Sequence, residues 1–92
     1  MAITELLNVG AENARTGKEL ASILGCDLRD ITATIERERR KGKPICAGSG
    51  ENPGYYLAAD AEELEQYCGR LKHRAKELYK TLGALQNSLN NV

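Results

Sequence analysis

The apolar positions of this chain change their period from segment to segment, and each change marks an element. Ile3, Leu6, Leu7 and Val9 recur at helical spacing, which predicts a first helix over residues 2–10, closed by Gly10 and the polar run Ala11–Asn13. Ala14 and Arg15 leave room for a very short strand. Leu20, Ala21, Ile23 and Leu24 supply the inner face of a second helix, and Leu28, Ile31 and Ile35 that of a third. Two short runs, Pro44–Ala47 and Gly54–Ala58, flank a glycine-rich stretch and read as a β-hairpin with a long tip. Strand alternation sends Tyr55 and Tyr56 to opposite faces, one ring packed on the domain and the other outward. From Ala61 the spacing alternates between three and four: Ala61, Leu64, Cys68, Leu71, Ala75, Leu78, Leu82, Leu85, Leu89 and Val92. That heptad stripe predicts one long helix, with Gly69 and Gly83 on its outer side.

Local chemistry sharpens the boundaries. Thr16 with Glu19 three residues on forms a capping box, and Asp60 with Glu63 forms another. Gly25 ends one helix in a left-handed conformation and Asp27 caps the next, so two helices meet across about three residues. Gly42 closes the helix over 28–41, and Pro44 prevents it from resuming. The expected fold class is mainly α with a small β-hairpin: a helix-turn-helix unit over residues 1–59, then a C-terminal helix over 60–92. At 1.5 Å per residue that helix is about 48 Å long, more than so small a domain can cover. Leu64, Tyr67 and Leu71 are therefore expected on the domain. Leu71, Ala75, Leu78, Leu82, Leu85 and Leu89 form the dimerisation stripe, the other course being a helix that folds back on its own domain.

Composition narrows the function. Thirteen basic residues balance thirteen acidic ones, so the whole chain lacks the charge signature of a nucleic-acid binder. The distribution says more: between Asp27 and Lys43 six basic residues face four acidic ones, concentrated at the end of the third helix. A 92-residue chain without Trp or Phe has a small aliphatic core, which oligomerisation commonly supplements. Cys26, Cys46 and Cys68 are isolated and read as free thiols of a cytoplasmic protein. A zinc site from these three and His73 lacks any paired ligand spacing, so no metal and no cofactor is expected. No apolar run has membrane-spanning length, and the N-terminal residues lack the pattern of a signal peptide. His73 falls on the outer face of the long helix, the serines have no neighbouring histidine, and GSGENPG lacks the helix and lysine of a phosphate loop. An enzyme is not expected.

The run TGKELASILGCDLRDITATIERERRKGKPI, followed by GYYL, resembles a winged helix-turn-helix DNA-binding domain, most closely the N-terminal domain of the biotin operon repressor and related small bacterial regulators. The resemblance covers Thr16 to Leu57. It implies a recognition helix over 28–41 that enters the major groove of double-stranded DNA. Arg29 would hold a guanine through O6 and N7, Thr32 would contact a base edge or a thymine methyl, and Ala33 would permit close approach. Arg37, Arg39, Arg40, Lys41 and Lys43 are placed for phosphates, with Ser49 and Asn52 contributing from the wing. Glu36 shares this face, where it would pair with Arg40 or Thr32. Two positions depart from the pattern. Glu38 lies by phase between Ile31 and Ile35, so it requires a basic partner, from the C-terminal helix for example, or must reach outward at the helix end. The hairpin from Pro44 to Asp60 carries no Lys or Arg. The resemblance does not extend to the ligase portion of the biotin repressor, so nothing concerning biotin is expected. The expected function is a homodimeric transcriptional regulator, a repressor that occupies a two-fold operator. The alternative is a winged-helix module that assembles proteins without binding DNA.

Overall fold

The computed structural model describes residues 3–48, 50 and 53–91. Three α-helices, α1 (Gly17–Leu24), α2 (Leu28–Arg40) and α3 (Ala61–Leu89), accompany an antiparallel hairpin of β1 (Ile45–Gly48) and β2 (Gly54–Leu57). Among the described residues no helix is long and apolar enough to cross a membrane.

The junction of α1 and α2 follows the caps. The Thr16 hydroxyl accepts from the Glu19 amide at 3.1 Å, and the Glu19 carboxylate accepts from the Thr16 amide at 3.4 Å. Asp27 accepts from the Asp30 amide at 2.9 Å, and Asp30 returns the bond, making a second box. Between them Gly25 is left-handed, at φ 67°. α2 ends one residue before its expected limit, with Lys41 as C-cap and Gly42 at φ 96°. Glu63 differs from expectation in detail: Asp60 accepts from its amide at 2.9 Å, but its carboxylate accepts from the Ala59 amide rather than that of Asp60.

The hairpin divides two clusters of buried side chains. On one side Ile3, Leu7, Leu20, Ala21, Ile31, Ile35 and Ile45 form the main core, with Tyr55 and Leu57 packed against it. On the other, Cys46, Tyr56 and Tyr67 meet over Ala11, Ala14 and Leu64. Both tyrosines therefore pack, one on each face, and neither ring is the outward one expected.

The expected first helix is not formed. A 3-10 turn over Ile3–Leu6 takes its place, and a second lies in the polar run Ala11–Asn13 expected to close it. The cause is a distant partner. Leu57 takes the Asn8 carbonyl and gives its own carbonyl to the Gly10 amide, both at 2.9 Å, which draws residues 8–10 into extended pairing. Val9, expected inward, is 56% exposed as a result. In place of the very short strand expected over Ala14 and Arg15, Arg15 alone forms an isolated bridge, exchanging two backbone bonds with Tyr55 at 2.7 and 3.0 Å. Residues 8–15 thus cover the outer edge of β2. Gly54 permits this approach: its φ is 121°, and a Cβ there would overlap the Arg15 carbonyl.

Two other apolar residues lie outside the core. Ile23 and Leu28 are each 49% exposed. The eight residues of α1 bury a stripe centred on Leu20, Ala21 and Leu24, and Ile23 lies at its edge, 100° round the helix from Leu24. Leu28, the first residue of α2, lies over Gly17 at the start of α1 instead of entering the core.

α3 touches the domain only through its first turns. Tyr67 is buried and Leu64 half-buried, whereas Leu71, expected on the domain, is 43% exposed at the rim. Beyond it the described helix runs free, every residue exposed except Gly83. The molecule is consequently 50 Å in its longest dimension, against 32 and 28 Å across.

Candidate nucleic-acid interface

The outward face of α2 carries Arg29, Thr32, Ala33, Glu36, Arg37 and Arg40, and all six are exposed. The helix is 13 residues long, about 20 Å, and its inner face is anchored by Ile31 and Ile35 at 1% exposure. Two threonines tie their hydroxyls back to the helix. Thr32 donates to the Leu28 carbonyl at 3.1 Å and Thr34 to that of Asp30 at 2.8 Å. Thr34 also accepts from an Arg37 Nη at 3.2 Å, which inclines that guanidinium toward the start of the helix.

The acidic residues are drawn away from this face. Asp27 and Asp30 are engaged with the helix N-terminus, where the dipole favours them. Glu36 pairs with Arg39 at 3.2 Å rather than with Arg40 or Thr32. Glu38 is 9% exposed, with Lys41 Nζ 3.5 Å from its carboxylate; its basic partner comes from its own helix, not from α3. One Glu38 oxygen is buried without a hydrogen bond. Among the described residues Arg29, Arg40 and Lys43 make no ion pair and no side-chain hydrogen bond, and Arg37 makes only the bond to Thr34. Ser49 and Asn52, the expected wing contacts, lie outside the described residues.

Arg39 is not placed for phosphate. Its side chain is 20% exposed and points inward, where Nε donates to the Ile45 carbonyl at 2.8 Å. The ladder explains why that carbonyl is available. Leu57, opposite Ile45, spends its N–H and C=O on Asn8 and Gly10, so Ile45 and Leu57 face each other without exchanging bonds. The same holds one step on: Tyr55 bonds Arg15, and the Ala47 carbonyl turns outward to accept from an Arg70 Nη at 3.1 Å. Two arginines, one from α2 and one from α3, therefore satisfy the two outward carbonyls of β1. Both also lie on the Tyr67 ring, at 5.1 Å for Arg39 and 5.5 Å for Arg70, and Arg39 is 5.9 Å from Tyr55. Arg70 was not among the residues singled out from sequence, although its position three after Tyr67 puts both on one side of a helix.

The remaining candidate chemistry is dispersed. Cys46 is buried, Cys26 half-buried and Cys68 exposed, and no group of three or more His, Cys, Asp or Glu side chains suited to a metal ion occurs among the described residues. Burial pushes the Cys46 thiol up, and it raises that of Cys26 together with the charges of Asp30 and Asp27. His73 is exposed on α3. A shallow concavity of about 270 Å³ between α1 and the hairpin is lined by Thr16, Gly17, Ala47, Gly48, Pro53, Gly54 and Tyr55. On α3, Leu78, Leu82, Leu85 and Leu89 are between 47 and 71% exposed, and Ala75 and Leu71 continue their line. No protein-family model matches the chain, and no solved structure matches it.

Proposed function

We propose that this chain is a winged helix-turn-helix transcriptional regulator that binds double-stranded DNA as a homodimer, with α2 in the major groove and the hairpin as its wing. One observation carries the reading: α2 presents Arg29, Arg37 and Arg40 outward, with Lys43 just beyond, while the carboxylates of that helix are engaged in caps or ion pairs. A helix of this length fits a groove about 12 Å wide, and the N-terminal turns of such a helix read bases. Arg29 and Thr32 are the base readers and Ala33 allows close approach. Glu36, still half exposed, can accept from a cytosine amino group. Arg37, Arg40, Lys41 and Lys43 hold phosphates. A dimer that occupies a two-fold site excludes other proteins from the same DNA, and repression is the mode of action proposed.

A specific observation favours a second reading, a module that assembles proteins. The segment from Pro44 to Asp60 has no cation, and the charges of the chain sum to zero. Salt separates the two. Fluorescence anisotropy of a random-sequence duplex, titrated at increasing salt, should show affinity falling with a log–log slope of about −5 for six phosphate contacts per dimer. The Arg29→Ala, Arg37→Ala double variant should lose that binding. Absence of binding at tens of micromolar protein in low salt would leave the assembly module as the better account.

A further inference from the structure

We infer that α3 pairs with the α3 of a second copy in antiparallel orientation, centred near Lys80; this rests on the dimer proposed above and gives it a geometry. The free stripe is symmetric about that residue. Leu71 lies nine positions before it and Leu89 nine after, Ala75 and Leu85 five, Leu78 and Leu82 two. An antiparallel pair therefore stacks Leu71 on the second copy's Leu89, Ala75 on its Leu85 and Leu78 on its Leu82, so that no two small residues meet. A parallel pair would set Ala75 against Ala75 in the middle of the seam and leave a gap there. A concavity of about 290 Å³ bounded by Ala75, Leu78, Tyr79 and Leu82 is the kind of four-residue hole that receives one leucine from a facing helix.

Charge selects the same orientation. Arg70, Lys72, Arg74, Lys76 and Lys80 stand against Glu77 alone, whereas residues 81–91 carry no charge. Parallel helices would lay the two basic stretches side by side. Antiparallel ones lay each beside the other's uncharged end, with Lys72 flanking Gln86 and Arg74 flanking Ser88 of the second copy. The exposed leucines and Tyr79 amount to on the order of 600 Å² of apolar surface per chain, at the upper limit of the largest patch on a typical monomer, and two such faces approach the roughly 1,200 Å² of a specific interface. Each domain is docked at Tyr67, thirteen residues from the centre. The two docking points are then about 39 Å apart along the rod, close to the roughly 34 Å of one duplex turn.

Spin labels on the exposed Cys68 test the orientation, in a Cys26→Ser background where the remaining Cys46 is buried. The antiparallel rod separates the labels by twelve residues on each side of the centre, about 36 Å, so pulsed dipolar spectroscopy should give a distance between roughly 35 and 45 Å. Sedimentation of the same sample should show a dimer. A dimer with a distance below about 20 Å would overturn the antiparallel arrangement and leave the dimer standing, whereas a monomer without dipolar coupling would overturn both. As a second check, Thr81→Cys in a Cys68→Ser background sits beside its own copy across the two-fold axis and should form a disulfide-linked dimer on mild oxidation. Failure to cross-link in a sample that sediments as a dimer would count against the register.

Discussion

Replacing Arg39 by alanine should damage the fold, whereas replacing its neighbour Arg40 should damage only DNA binding. Adjacent arginines in one helix differ here because their side chains leave it in different directions. Arg39 gives a charged hydrogen bond to the buried Ile45 carbonyl at 2.8 Å, worth about 1.5–3 kcal/mol, and its loss strands that carbonyl. The stack on Tyr67 at 5.1 Å and the more distant one on Tyr55 add about 0.5–1 kcal/mol each. The Glu36 pair, half exposed, adds little. Arg39→Ala should therefore cost about 3 kcal/mol, or on the order of 15 °C in Tm for a domain of this size. Urea unfolding followed by circular dichroism reads the loss directly. Arg40→Ala should stay within about 0.5 kcal/mol of the parent and lower the salt slope of duplex binding by about 2, one phosphate contact for each protomer of the dimer. If Arg39→Ala unfolds with the parent, the edge-capping role assigned to it is wrong. If Arg40→Ala binds DNA like the parent, the outward face of α2 is not the contact surface.

Gly54→Ala should be severely destabilising, by about 3 kcal/mol or more, because the left-handed backbone and the close Arg15 carbonyl both exclude a Cβ; thermal unfolding checks this, with the exposed Gly69→Ala expected to raise Tm slightly. Glu38→Leu should stabilise the domain by about 1–2 kcal/mol in urea unfolding, since it removes a buried carboxylate oxygen that has no hydrogen bond and relies on an exposed lysine. Toward a thiol reagent under native conditions Cys68 should react first and Cys26 slowly, with Cys46 reacting only on unfolding, as its burial and raised thiol pKa require.

Features set by nearest neighbours were legible in the sequence. The Thr16 and Asp27 caps, the Gly25 turn and the Asp60 cap of α3 each depend on residues within four positions, and each stands where those residues indicate. Features set by distant partners were not. Ile3 and Leu7 are buried as their spacing implies, but the helix they suggested is cut to a 3-10 turn because Leu57, some fifty residues on, exchanges two hydrogen bonds with residues 8 and 10. On the candidate interface, helical phase placed Arg29, Arg37 and Arg40 outward correctly. Phase left Arg39 off that face, but its place near the helix end suggested a phosphate contact; its inward turn depends on a free carbonyl in β1 and on an aromatic ring in α3. Arg70 escaped notice for the same reason. The leucines beyond Leu71 remain exposed in the single chain, so the stripe was legible but the fold of one chain does not cover it.

Contact between α2 and DNA can be read residue by residue from amide chemical shifts. Uniformly 15N-labelled protein titrated with a short duplex at low salt should show its largest shifts at Arg29, Thr32, Ala33, Glu36, Arg37 and Arg40, and these should fade as salt is added. Shifts concentrated on the basic stretch Arg70–Lys80 of α3, or a spectrum unchanged by duplex, would contradict it.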